Sequence, residues 1–166
     1  MKKTALLAVL FLLISCLLCG CLDVAIIPDE DSIGKSKAFE KAGFSITLTD
    51  KFTEEQSQLG FDAYYVADFC GVVVLKEEFT LEEGLADKSL ESYINGVIQN
   101  NGHTGVVPRH KDGLWFYERT SHSSYSQSYC YKGSDAFWIV QFICNPSDAQ
   151  IYKDTFYLWA QSVEIQ

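Results

Sequence analysis

The chain has few positive charges for its size. Its 166 residues include 13 Lys or Arg against 22 Asp or Glu, which gives a formal net charge of −9 at pH 7. Lys2 and Lys3 lie in an amino-terminal leader, so residues 22–166 carry 11 basic and 22 acidic side chains, a net charge of −11. So acidic a domain lacks the cationic surface that a phosphate backbone requires. We therefore expect no binding to nucleic acid and no attraction to anionic lipid headgroups.

Sequence motifs of catalytic sites are missing as well. The chain has no G-x-S-x-G, no H-E-x-x-H, no Walker loop and no G-x-G-x-x-G. Adjacent carboxylates do occur, but side chains next to each other in sequence tend to point apart rather than form an acid–base couple. These pairs are Glu54-Glu55, Glu77-Glu78 and Glu82-Glu83. The sequence accordingly indicates that the protein is not an enzyme and holds no cofactor.

Cysteine is scarce in residues 22–166, where Cys70, Cys130 and Cys144 are the three that occur. Because three is an odd number, at least one thiol has no partner within the chain. No C-x-x-C spacing typical of a zinc site occurs among them. We expect all three side chains to be small buried hydrophobic groups.

The longest apolar run lies at the amino terminus. Residues 4–18 follow two lysines, and the run is too short and too close to the terminus for an ordinary membrane span. The next residues, Leu18-Cys19-Gly20-Cys21, resemble the bacterial lipobox, in which an aliphatic and a small residue precede the cysteine that receives diacylglycerol. The resemblance implies a signal peptide at residues 1–20 and a lipid on Cys21. The chain is then an extracytoplasmic lipoprotein on the outer face of the cell membrane.

Two alternatives to Cys21 stay open, which are lipidation of Cys16 and no lipid at all. Cys16 also fits the box, but its use would leave a short apolar segment before it and another apolar stretch in the mature chain. Two buried acyl chains contribute on the order of 20 kcal/mol, so the anchor would be effectively permanent. Residues 21–38 have clustered charge and no sustained period, which predicts a flexible tether. The folded domain is predicted at residues 39–166.

Residues 125–140 have the clearest hairpin pattern in the chain. Gly133-Ser134 suits a two-residue type II′ turn with positive φ at Gly133, which would place Lys132 opposite Asp135. Alternation then divides the strands into an aromatic face and a second face that carries serines and Cys130. The aromatic face comprises Tyr125, Tyr129, Tyr131, Trp138, Val140 and Phe142. Cys130 and Cys144 fall on opposite faces, which argues against a disulfide between them.

The aromatic face has two interpretations. It can pack in the core, or it can form a platform that contacts a sugar or a peptide, because tyrosine keeps a polar edge while half buried. The candidate partner-contact residues of the second interpretation are Tyr125, Tyr129 and Tyr131.

The remaining elements are predicted from alternation, capping and turn residues. They are strands at 43–49, 61–66 and 72–79, a helix from its N-cap Ser89 to Asn101-Gly102, and a final helix capped by Asn145. Asp112-Gly113 predicts a hairpin that joins 103–111 to 114–122 and pairs His103 with His122. Two paired imidazoles lie close enough to share a metal, but they supply only two of about four ligands, and two solvated histidines are the alternative.

The order of these elements resembles that of small bacterial lipoproteins with a PsbP/Mog1-like domain. The similar segments are GFSITL, VVVLKEEF, SLESYINGVIQNNG, DGLWFYE, YKGSDAFWIVQF and FYLWAQSV. Over residues 39–166, the resemblance implies an α+β fold in which an antiparallel β-sheet meander is flanked by helices on both faces, an α/β/α sandwich. Because members serve as accessory or adaptor proteins, we expect a non-enzymatic binding module with an unidentified envelope protein or glycan as partner. The alternative is a metal-binding lipoprotein or an envelope enzyme.

Overall fold

The computed structural model describes residues 30–56 and 60–166. The predicted signal peptide, the lipid attachment at Cys21 and the first part of the tether lie outside the described residues. Within the part that is described, no helix is long and apolar enough to cross a bilayer.

The described residues form ten strands and three α-helices, of which the first helix is a single turn. The helices are α1 (Glu30–Ile33), α2 (Leu90–Asn100) and α3 (Ala149–Gln161). The strands are β1 (Ser36–Lys41), β2 (Phe44–Thr49), β3 (Thr53–Glu54), β4 (Ala63–Val66), β5 (Gly71–Glu78), β6 (Arg109–Lys111), β7 (Leu114–Thr120), β8 (Tyr125–Lys132), β9 (Ala136–Cys144) and β10 (Glu164–Ile165).

These strands make two antiparallel sheets, so the protein is a mixed α/β structure. The large sheet has seven strands in the order β3-β4-β5-β9-β8-β7-β6, and the small one has three in the order β1-β2-β10. The predicted four-strand meander is confirmed, because β6 to β9 are successive neighbours in the large sheet. The small sheet was not expected. It consists of the hairpin of β1 and β2, to which the last residues of the chain add β10 by pairing Ile165 with Phe44.

The hairpin of β8 and β9 differs from its predicted turn. Tyr129 lies opposite Val140 and Tyr131 opposite Trp138, so the register is displaced by two residues from the expected one. The loop holds three residues, and Gly133 does not have a positive φ, so the type II′ turn was wrong. Gly133 is needed for space instead, since a Cβ there would lie 2.8 Å from Cγ2 of Ile165. Because the displacement is even, every side chain keeps its predicted face.

The hairpin of β6 and β7 is shorter than expected. Arg109 faces Phe116 as predicted, and the Asp112-Gly113 turn has positive φ at both positions. However, β6 begins at Arg109, so the predicted pairing of His103 with His122 was wrong. Pro108 precedes the strand and has no N–H to donate to the ladder, which explains why pairing stops there.

Two apolar clusters cover opposite faces of the large sheet. The larger one includes Tyr129, Val140 and Phe142 of the sheet, and α3 and the small sheet pack over it. The second includes Cys130 and Phe137, and α2 packs over it. The three described cysteines are buried and free, with Cys144 in the first cluster and Cys130 in the second, as the alternation predicted.

The helix boundaries confirm one predicted cap and correct another. The Ser89 hydroxyl accepts a hydrogen bond from the Ser92 amide at 3.1 Å and caps α2. Asn145 makes no side-chain capping bond, because a 3₁₀ turn at Pro146–Asp148 stands between it and α3.

The fold also begins earlier than residue 39. Residues 36–38, expected in the tether, form the first half of β1, and Ile33 is buried. The Thr49 hydroxyl donates to the Ile33 carbonyl, which fixes α1 against the end of β2.

Candidate functional site

The predicted partner-contact face is part of the core. Tyr125 and Tyr129 have 6% and 0% of their surfaces exposed, and Tyr131 is half-buried with its hydroxyl donating to the Ala160 carbonyl at 2.7 Å. Helix α3 and the small sheet pack over these rings, so Tyr125 and Tyr129 have almost no surface to offer a partner, whereas Tyr131 keeps a part of its surface exposed. The packing interpretation therefore describes Tyr125 and Tyr129, and a partner on this face would find only the exposed part of Tyr131.

A buried amide that the sequence analysis overlooked organises this face. Gln127 points inward between two tyrosines, accepts from the Tyr129 hydroxyl at 2.8 Å and donates to the Tyr125 hydroxyl at 2.8 Å. Its Nε2 also donates to Oε1 of Glu118 at 3.2 Å, and Glu118 pairs with Arg109 at 3.0 Å. Burial raises the pKa of both tyrosines. These groups satisfy one another, so the network is structural.

The opposite face of the large sheet is only partly covered. Because α2 packs on β7 and β8, the part of this face on β5 and β9 is less well covered, and Leu75 of β5 is 38% exposed.

A cleft of about 310 Å³ lies where α2 ends over this face. Three of its lining residues lie on one row of cross-strand neighbours, in which Val73 pairs with Gln141, Gln141 with Ser128 and Ser128 with Tyr117. The complete lining is Phe61, Val73, Leu75, Val97, Asn101, His103, Tyr117, Arg119, Ile139 and Gln141. The cleft is the candidate functional site, because it combines apolar side chains with a few convergent polar groups.

The polar groups of that row are already satisfied. The Gln141 side-chain amide donates to the Ser128 hydroxyl at 2.9 Å. Burial raises the pKa of Tyr117, and a hydrogen bond with Ser128 opposes this rise in part. The Gln141 amide nitrogen and the Tyr117 hydroxyl therefore already have a hydrogen-bond partner in Ser128.

Arg119 and His103 supply the charge of the cleft. Within the described residues, the Arg119 guanidinium has neither a hydrogen bond nor an ion pair, whereas Arg109 is paired with Glu118. The His103 ring lies 5.8 Å from the Tyr117 ring. Burial lowers the pKa of His103, and the positive charge of Arg119 lowers it further. His103 is thus the one residue of the expected histidine pair that lines the cleft, and His122 is exposed elsewhere.

The described residues provide neither a reactive thiol nor a metal-binding cluster at the cleft. Burial raises the pKa of Cys130 to about 12 and that of Cys144 to about 11, and it also raises the pKa of Cys70. A thiolate nucleophile requires a shift in the opposite direction. Over residues 30–56 and 60–166, no three His, Cys, Asp or Glu side chains come together as metal ligands would.

Sequence reasoning missed most of the cleft. Only His103 was singled out, and for a different geometry. Arg119 follows Tyr117 by two residues, so period 2 places both on one face of β7. Nothing in the local pattern states that α2 ends before it covers them.

Known proteins resemble the chain in structure and not in sequence. No protein-family model matches it, and no curated protein matches it. It is similar to the solution structure of CyanoP, the cyanobacterial PsbP of Synechocystis sp. PCC 6803, with a TM-score of 0.55 and 12% identity over 89% of this chain and 97% of that one. A Pseudomonas aeruginosa protein of unknown function, PA94, has a TM-score of 0.42 and 11% identity over 80% of this chain and 99% of that one. The likeness to CyanoP supports a PsbP-like fold and, at this identity, says nothing of function.

Proposed function

We propose that the protein is an extracytoplasmic lipoprotein, anchored through Cys21 to the outer face of the cell membrane, that acts as a non-enzymatic binding or accessory module. The cleft beside α2 is its binding site. The observation that carries the proposal is an open cleft of about 310 Å³, lined by both apolar and polar side chains, whose guanidinium, that of Arg119, lacks any partner among the described residues.

The fold is consistent with this role. We infer that the domain has the PsbP/Mog1-like α/β/α arrangement, with α2 on one face of the large sheet and α3 on the other. The support is that α2 packs with Cys130 and Phe137, whereas α3 packs with Phe142 on the opposite side. This arrangement buries most of the aromatic face and leaves the α2 side as the less covered one.

The chemistry of the cleft favours binding over catalysis. In the part of the chain that is described, no carboxylate and no thiol line it. Its titratable groups are Arg119, His103 and Tyr117, and the pKa of Tyr117 is raised rather than lowered. A nucleophile or a carboxylate–histidine couple would be needed for the common acyl-transfer and hydrolytic mechanisms.

The anchor is tested by metabolic labelling with a radioactive or clickable fatty acid in a bacterial host. We expect the Cys21→Ser chain to lose both the label and its place in the membrane fraction. The matched control is Cys16→Ser, which should retain both. Label that follows Cys16, or persists in both variants, would contradict the assignment.

The binding site is tested with a photoreactive amino acid placed at Leu75, at the edge of the cleft. The matched control position is Leu158, which is 44% exposed on α3 at the other side of the large sheet. After irradiation of intact cells, intact-mass spectrometry detects adducts of any size. We expect a discrete adduct from position 75 and none from position 158. No adduct at 75 above the level at 158 would refute the cleft as a binding site.

A further inference from the structure

The cleft places a positive charge without a counter-ion in a strongly acidic domain. Residues 22–166 carry a net charge of −11. Several cationic side chains of this domain form ion pairs with carboxylates, such as Lys76 with Asp135 at 2.8 Å and Lys88 with Glu82 at 3.2 Å. Arg119 has not, although it is next to Glu118 in sequence, because that carboxylate points to the opposite face and pairs with Arg109.

Apolar side chains line the part of the cleft away from this charge. Ile139 lies on β9 and Val73 and Leu75 on β5, two and three strands away from the strand of Arg119, and Val97 lies on α2. Burial of apolar ligand atoms against such side chains removes them from water, which favours binding. The cleft therefore suits a molecule with an apolar body at one end and a negative charge at the other.

We propose that the cleft binds a small monocarboxylic acid, with its carboxylate on Arg119 and its apolar body against Val73, Leu75 and Ile139. This inference deepens the proposed function and rests on it, since it names the ligand class of the same site. A guanidinium matches a carboxylate with two parallel N–H donors, which makes this pairing specific as well as strong.

The charge of the ligand follows from the neighbours of Arg119. The lowered pKa of His103 keeps its ring neutral at pH 7, so the cleft offers one permanent positive charge. A dianion such as a phosphate monoester would bring a second negative charge that nothing in the cleft balances, inside a domain that repels anions at long range. One carboxylate needs one guanidinium, and the neutral His103 ring still offers an N–H.

The size of the ligand follows from the volume. About 310 Å³ lies at the lower end of the range for small-molecule sites, roughly 300–1,000 Å³. With about 30 Å³ for each water molecule in the liquid, the cleft holds on the order of ten non-hydrogen atoms. Hexanoate is therefore a suitable probe, and hexanamide is its uncharged counterpart of equal shape.

The experiment uses the full chain in nanodiscs of neutral phosphatidylcholine, with its histidines labelled with ¹³C. The chain has three histidines, of which His103 lines the cleft while His110 and His122 are exposed and serve as internal references. We expect hexanoate to shift the His103 resonance saturably and to leave the other two unchanged. Hexanamide and hexyl phosphate should each bind at least about tenfold more weakly, since a charge-assisted pair is lost or unbalanced.

The two arginines of the chain provide matched variants. Arg119→Gln should weaken hexanoate binding by about tenfold or more, whereas Arg109→Gln, which removes the arginine paired with Glu118, should leave it unchanged. Circular dichroism of both variants verifies folding, which loss of an exposed side chain does not threaten. Equal shifts at all three histidines, or unchanged affinity in Arg119→Gln, would overturn the proposal.

Failure of this proposal is distinguishable from failure of the proposed function. An adduct at position 75 together with no response to hexanoate would refute the monocarboxylic acid as the ligand and would still support the cleft as a binding site. Absence of both would refute the cleft as a binding site altogether.

Discussion

Phe156 lies at the centre of the contact between α3 and the large sheet, and its removal tests the packing of this face. Its side chain is 0% exposed, and its ring stacks on Phe142 at 5.3 Å with an interplanar angle of 19°. The Trp159 ring lies 6.0 Å away. Replacement of a buried Phe by Ala costs about 3–5 kcal/mol, from lost transfer free energy and from the cavity left behind. Because stacked aromatic pairs add about 0.5–1.5 kcal/mol, we expect the upper half of that range for Phe156→Ala.

Urea unfolding followed by tryptophan fluorescence measures this loss. With a denaturant slope of roughly 2 kcal/mol per M, a loss of about 4 kcal/mol lowers the unfolding midpoint by about 2 M. The control is Leu158→Ala on the exposed side of α3, which should change the free energy of unfolding by less than about 0.5 kcal/mol. Equal midpoints for the two variants would refute the conclusion that α3 docks through Phe156.

Three further predictions concern a titration, a close approach and a buried amide. The folded-state pKa of His103 is lowered, so protonation of His103 opposes folding, and this destabilisation grows as pH falls through about 6.5. Titration of His103 by NMR should give a midpoint below about 6.5, the ordinary histidine value, which is that of the unfolded chain. Arg119→Gln should raise this midpoint, because it removes a neighbouring positive charge. Gly133→Ala should lower the free energy of unfolding, measured in thermal melts, by about 1–3 kcal/mol, because the new Cβ would lie 2.8 Å from the Ile165 side chain. Gly96→Ala should raise it by about 0.5–1 kcal/mol, because this position in the interior of α2 has open space for a Cβ. The opposite order of stabilities would contradict the contacts described. Gln127→Leu should cost about 1–3 kcal/mol in urea unfolding, because two buried tyrosine hydroxyls lose their partner, and a neutral result would show that water replaces it.

The faces of the hairpin between β8 and β9 were predictable because they depend on a local period. Successive side chains of a strand point to opposite sides, so Tyr129 and Cys130 had to enter different clusters. The same locality applies to α2, whose N-cap Ser89 and apolar spacing are contained within a few turns. A register error of two residues left these assignments intact.

The turn and the start of the fold were decided by distant parts of the chain. Gly133 is constrained by Ile165, which arrives with the short terminal strand. Residues 36–38 become a strand because β2 offers them an edge, although their own pattern is that of a polar tether. Backbone groups satisfy their hydrogen bonds with whichever strand lies next to them, and sequence near the segment does not specify that neighbour.

The candidate site shows the same division. The sequence determined that Tyr117 and Arg119 share a face of β7, that the domain is acidic, and that no catalytic motif occurs. Only the tertiary structure decided that His103 joins them. Because β6 begins only at Arg109, His103 does not pair in the sheet and instead lines the cleft at the end of α2. The cleft itself exists because α2 packs on β7 and β8 and leaves the part of this face on β5 and β9 less covered. Uncovered area is a property of how elements pack, and no local pattern encodes it.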